Sequence, residues 1–208
     1  MKTKTKTLLI TMCAIMLVAA TVFGTMAYLT STPDAVTNTF TIGKIAITLD
    51  EAKVKTDGTP DGTTRVTGNE YHLLPGHSYG KDPTVHVTAN SEDSWIFVKV
   101  VNGISAFEAA SVEGGYQSIA DQIAVKNGWT ALTGVDGVYY KEYAKNTSAV
   151  NLEVFNNFKI DDNAESITGW ANIGAANNVT VTAYAIQKDG LSVTEAWAAL
   201  NPAPASQG

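Results

Sequence analysis

Residues 95–101 read WIFVKVV, and this stretch decides the fold class. It is apolar at both parities: Trp95, Phe97 and Val101 share one side, while Ile96, Val98 and Val100 share the other. A half-exposed strand would alternate with polar residues, so a run of this kind belongs in the middle of a sheet sandwich, covered on both faces. The polar group Asn90-Ser91-Glu92-Asp93 just before it is a turn.

Working outward, residues 84–88 alternate, with Val85 and Val87 on one face and His86 on the other. The stretch TFTIGKIAITL (39–49) alternates through Ile45, Ile47 and Leu49 and predicts a half-buried strand. Residues 50–69 are rich in Thr, Gly, Asp and Lys, with turn signals at Asp57-Gly58 and Asp61-Gly62, giving a long hydrophilic loop or a ragged hairpin. A short strand is predicted at 71–74, stopped by Pro75-Gly76. Downstream, 104–128 is the least strand-like region; Ser118 with Asp121, then Asn127-Gly128, bracket a short capped helix. Strands are expected at 129–132, 138–143, 152–160 and 179–186, the last (VTVTAYAI) running into a turn at Asp189-Gly190. Ser192 and Glu195 make a capping box for a final helix at 193–200, closed by Asn201-Pro202. Seven to nine strands without a βαβ alternation predict a mainly β protein. The expected architecture is an antiparallel, jelly-roll-like β-sandwich with short helical insertions and a short C-terminal helix.

The N-terminus has a different character. Lys2, Lys4 and Lys6 precede an uncharged apolar run, 8–23, and then the small residues Gly24, Thr25 and Ala27. As a helix that run spans roughly 24 Å, short of the ~30 Å hydrocarbon core. Residues 1–27 therefore read as a signal peptide cut between Ala27 and Tyr28, with an uncleaved anchor as the alternative. Residues 28–39 follow as a flexible segment, 40–201 as the β-sandwich domain and 202–208 as a tail. Loss of 1–27 removes three lysines and no acid, taking the formal net charge from −6 to −9. That balance argues against nucleic acid and anionic surfaces as partners. The single cysteine, Cys13, leaves with the signal, so the mature protein holds no disulfide and no cysteine nucleophile. A chain of this size buries about 70% of its unfolded surface without such staples.

Catalytic patterns are sparse. His72, His77 and His86 fall close together around Asp82, yet H-E-x-x-H spacing and any thiolate are missing; they read as surface histidines, and no metal or cofactor is expected. There is no G-x-S-x-G and no G-x-x-x-x-G-K-[ST]. Glu92 and Asp93 lack the ligand count of a calcium loop and read as a solvated hairpin tip. Tyr139, Tyr140, Tyr143, Trp170, Tyr184 and Trp197 are expected to fill cores or pair across strands, with a sugar site as the alternative. Lys99 stands out because it interrupts an apolar strand face. Two readings are open: a stem packed on the core with its ammonium at the rim, or a buried ion pair or amide crosslink to an Asn or Asp.

Several segments together resemble the TasA/camelysin family of Gram-positive biofilm-matrix proteins. They are Gly24-Thr25-Met26-Ala27-Tyr28-Leu29-Thr30, then Asn38-Thr39-Phe40-Thr41-Ile42-Gly43, then Ile45-x-Ile47-x-Leu49. Leu74-Pro75-Gly76, Lys81-Asp82-Pro83-Thr84-Val85-x-Val87, Phe97-Val98-Lys99-Val100, Tyr184-Ala185-Ile186-Gln187 and Glu195-Ala196-Trp197 are similar to a clostridial branch of that group. The resemblance implies a jelly-roll subunit, exported through a SipW-type signal peptidase and assembled with itself into extracellular fibres. Other matrix or cell-wall components are further partners it implies. It also implies that residues 28–39, with Tyr28, Leu29 and Val36, act as a donor strand for the next molecule. The family includes camelysin, described as a metal-dependent peptidase. Three expectations result: a secreted fibre subunit without enzymatic activity first, a secreted metallopeptidase second, and a module binding cell wall or polysaccharide third.

Overall fold

Strand β5 (Ser94–Asn102) lies between two neighbours, with its inner face in the main core and the Trp95–Phe97 end of its outer face covered as well. The computed structural model describes residues 45–174 and 177–200. The other strands are β1 (Ile47–Val54), β2 (Pro60–Val66), β3 (Ser78–Gly80), β4 (Thr84–Val87), β6 (Thr130–Ala131), β7 (Val138–Tyr143), β8 (Val150–Glu153), β9 (Asn157–Lys159) and β10 (Val179–Gln187). They form two four-stranded antiparallel sheets, ordered β2-β1-β4-β8 and β10-β5-β7-β6, and a two-stranded β3-β9 ribbon. Ile47 from β1, Val85 and Val87 from β4, and Ile96, Val98 and Val100 from β5 meet in one apolar core. The mainly β antiparallel sandwich with short helices predicted from the alternation is the fold observed.

The outer face of the second sheet has its own cover. Helix α2 (Val193–Leu200) lays Ala196 and Trp197 on Phe97 and Ile186, while Tyr140 and Tyr184 flank them. Its start is the predicted capping box: the Glu195 amide donates to Ser192 Oγ (3.3 Å) and the Ser192 amide donates to Glu195 Oε2 (2.9 Å). Helix α1 (Ile119–Asp121) is capped by Ser118 and continues as a π-helical turn, Gln122–Lys126, that ends at Gly128 with φ 63°. It presses Ile119 and Ile123 into the main core.

Residues 50–69 fold as the ragged hairpin. Its tip is Asp57-Gly58, where Gly58 takes φ 80° and a Cβ would meet the Tyr79 Cα at 2.7 Å. The second turn signal, Asp61-Gly62, lies inside β2 instead, and the β1–β2 register shifts between Ala52 and Val54. Residues 71–74, predicted as a strand, have no ladder. The Tyr79 hydroxyl accepts from the Leu74 amide (2.7 Å) and donates to the His72 carbonyl (2.9 Å), while the His72 amide donates to the Thr56 carbonyl (2.8 Å). The expected strand 152–160 is two strands in different sheets, β8 and β9, broken where Val154 and Phe155 turn fully into the core. At 129–132 Thr130 and Ala131 form the ladder, and the Leu132 amide donates to the Val138 carbonyl (2.8 Å). Trp129 is buried, its amide bonded to the Ile123 carbonyl (3.0 Å) and its indole N–H to the Glu153 carbonyl (2.8 Å).

A candidate assembly edge and two polar clusters

A sheet edge exposes unpaired N–H and C=O groups, and folded proteins ordinarily blunt them with charge, proline, bulges or shortness. Edge strand β2 carries Pro60, Asp61, Gly62 and Arg65 beside its irregular register. Edge strands β8 and β6 have four and two residues. The fourth edge, β10, is different. Its nine residues, VTVTAYAIQ, include no charge, proline or glycine. Every one of them pairs with β5 on one side, and none has a backbone partner on the other among the described residues. Val179, Val181, Ala183 and Ala185 border the main core, while Tyr184 and Ile186 border the cluster under α2. In an antiparallel ladder about every second residue would offer both its N–H and C=O to an incoming strand. A new strand would also shield the half-buried Val179, Val181, Ala183 and Tyr184.

The outer face of the first sheet holds a charged network. Arg65 on β2 donates Nη1 to Asp82 Oδ2 (2.9 Å) and pairs through Nε with Asp50 on β1. His86 on β4 reaches Asp50 Oδ1 through Nε2 (2.7 Å) and Asn151 Oδ1 on β8 through Nδ1 (2.7 Å). Burial pushes the Asp50 carboxyl up, but the hydrogen bonds and charges of Arg65 and His86 outweigh it and hold the group below the usual range. The network ties all four strands of the sheet across their outer face. His72 and His77 are exposed on the segment before β3, and His86 has both ring nitrogens engaged. Among the described residues no group of three or more His, Cys, Asp or Glu side chains is placed to hold a metal ion.

The second polar cluster lies inside. Glu51 continues the inward parity of Ile47 and Leu49 and is 4% exposed. Its Oε2 contacts Lys81 Nζ at 2.5 Å, and its Oε1 accepts from Asn69 Nδ2 at 2.8 Å. Asn69 Nδ2 also donates to the Ala52 carbonyl (2.9 Å), while Asn69 Oδ1 accepts the Val54 amide (2.9 Å). Tyr71, packed edge-on to Tyr79 and Phe158, donates its hydroxyl to the Gly80 carbonyl (3.0 Å). Burial first, and then the Glu51 charge, push its phenol up. The sequence reading ended the first strand at Leu49 and missed this site. Carrying the same alternation one step further places a carboxylate on the apolar face, which is the signal that would have found it.

Lys99 is exposed, on the outer face of β5 beyond the reach of α2, opposite Thr182. No salt bridge among the described residues includes it, so of the two open readings the buried ion pair is not the one found. Its parity is as read, but the helix covers only the Trp95–Phe97 end of that face. Tyr143 is buried, and Tyr140, Tyr184 and Trp197 form the cluster around Phe97. Trp170 packs on Phe107, and Tyr139 is half-buried against the main core. The 90–93 turn holds Glu92 on Lys145 Nζ (3.0 Å), and Asp93 accepts the Lys145 amide (2.7 Å). Ala27, Tyr28, Leu29 and Val36 lie outside the described residues, as do the whole of 1–27, read as a signal peptide, the 28–39 segment and residues 202–208. No described helix is long and apolar enough to cross a membrane. No family model, curated protein or solved structure matches the chain.

Proposed function

We propose that this protein is a secreted structural subunit, without enzymatic activity, of fibres in a Gram-positive extracellular matrix, and that it polymerises by adding a strand to β10. The observation that carries this reading is the β10 edge: nine residues, uncharged, and unpaired on one side among the described residues. An edge of this kind invites a backbone partner, and side-chain pockets along it set the register. The donor is residues 28–39 of the preceding molecule, freed when a SipW-type peptidase cuts between Ala27 and Tyr28. Tyr28, Leu29 and Val36 supply the apolar side chains that the added strand lays beside β10. The N-terminal residues that resemble the TasA/camelysin family support the same assignment, and other matrix or wall components are additional partners.

The test is electron microscopy and light scattering of protein beginning at Tyr28, across a range of concentrations. Concentration-dependent fibres are expected. A species that stays monomeric with this N-terminus overturns the proposal.

A further inference from the structure

The cluster at the inner end of β1 combines three groups whose chemistry is complementary. Lys81 supplies an amine, Asn69 a carboxamide, and Glu51 a carboxylate that touches both, at 2.5 Å and 2.8 Å. The Glu51 and Lys81 side chains are only 5% and 10% exposed. A buried ion pair is weakly stabilising at best, since desolvation of both charges opposes their attraction. Tyr71, whose ring packs edge-on against Tyr79 and Phe158, lies beside Glu51 and Asn69. The Asn69 carbonyl is also fixed: the Val54 amide donates to Oδ1 at 2.9 Å, the position where negative charge develops when an amide carbon is attacked. The amide is thereby oriented and polarised before any reaction begins.

We propose that Lys81 and Asn69 become joined by an intramolecular amide bond, with Glu51 as the catalytic proton carrier. Lys81 Nζ first gives a proton to Glu51 Oε2, leaving a neutral amine. The amine lone pair forms a bond to Asn69 Cγ, and the carbonyl electron pair moves onto Oδ1, where the Val54 amide holds it. Glu51 returns its proton to Nδ2, which already donates to Oε1. The Cγ–Nδ2 bond breaks and ammonia leaves with its electron pair. Glu51 then takes the surplus proton from Nζ and passes it to the ammonia, which departs as ammonium. No oxidant, metal or cofactor enters the balance. The product replaces a buried ion pair with a neutral amide and closes a covalent loop around the Pro75-Gly76 turn and β3. Chemistry considered for Lys99 on sequence grounds thus belongs to Lys81. The inference is independent of fibre formation, because the bond lies within one molecule.

The experiment is mass spectrometry of the full-length chain, intact and after trypsin. Between Arg65 and Lys99 the only tryptic site is Lys81. The crosslinked protein should be one ammonia (about 17 Da) lighter. Its digest should contain residues 66–99 as a single peptide, with fragment ions linking positions 69 and 81. Glu51→Gln should regain the full mass and yield 66–81 and 82–99 separately, as should Asn69→Ala. Asn69→Asp should lose water in place of ammonia, which keeps the proposal testable if Glu51→Gln does not fold. A wild-type chain of full mass, cleaved after Lys81, overturns the proposal. So does a loss of ammonia that leaves Lys81 free, the mark of a cyclic imide at an asparagine. A bond that forms equally well in folded Glu51→Gln overturns the role of Glu51.

Discussion

The Trp197 ring sits 5.3 Å from the ring of Phe97, tying the last helix to the central strand of the second sheet. Tyr184 meets the same indole edge-on at 5.5 Å. Through these contacts α2 covers one end of the outer sheet face and leaves Lys99 and Val101 uncovered. Replacing Trp197 with alanine removes a side chain that is 7% exposed and should cost about 3–5 kcal/mol. Denaturant unfolding should show a lower midpoint at unchanged slope. A shift below about 1 kcal/mol would mean that α2 is not held by this cluster.

Adjacent positions on β5 should respond in opposite ways to the same substitution. Val98→Asp puts a carboxylate at a fully buried position in the main core. An unpaired buried charge costs several kcal/mol against about 5–15 of total stability, so soluble folded protein should be lost. Lys99→Asp changes an exposed residue and should move the melting temperature little. Glu92→Asp, at the 90–93 turn, should be equally mild. Circular dichroism of the three variants is the check, and a Val98→Asp protein with wild-type melting would show the core to be elsewhere.

Acid should weaken the outer face of the first sheet through Asp50. Its carboxyl is held below the ordinary value of 3.8, so the folded state favours the charged form more than the unfolded state does. The resulting stability is fully present above about pH 4 and is lost as the pH falls through the lowered folded value. Asp50→Asn should therefore melt lower than wild type near neutral pH, by less than about 1 kcal/mol given its partial exposure. The gap should close as the pH drops below 4. A difference that is constant with pH would indicate a steric effect of the substitution.

The β10 edge should be sensitive to an inward-pointing charge. Val181 borders the main core from this strand, and Val181→Lys would carry an ammonium to the edge on a stem that still packs. The variant should fold, melt within a few degrees of wild type, and fail to form fibres. Fibres of normal length and yield would place assembly on another surface.

Removing residues 28–39 from the mature chain should leave a folded monomer that no longer polymerises. A peptide of that sequence, added back, should raise the monomer's melting temperature, because a ligand for the native state stabilises it by mass action. Fibres that form equally well without the segment would exclude it as the donor.

Much of the fold is legible locally. Alternation located β4 and β10, the double apolar parity of 95–101 identified the central strand, and Ser192 with Glu195 marked the start of α2. These features depend on residues a few positions apart, where side-chain period and capping chemistry act directly. Other features required contacts between distant parts of the chain. Residues 71–74 look like a strand, but the Leu74 amide and the His72 carbonyl bond the Tyr79 hydroxyl and the His72 amide bonds the Thr56 carbonyl. Residues 152–160 look continuous, but Val154 and Phe155 are drawn into the core and split the run between two sheets. Lys99 sits on an apolar parity, and only the length of α2 leaves it in solvent. Glu51, Asn69 and Lys81 come from β1, the segment after β2 and the residue after β3, and share one carboxylate only because the strands fold over one another. Periodicity assigns a residue to a face. What covers that face, and which edge stays open, depends on how distant strands pair, and that was decided by the tertiary structure.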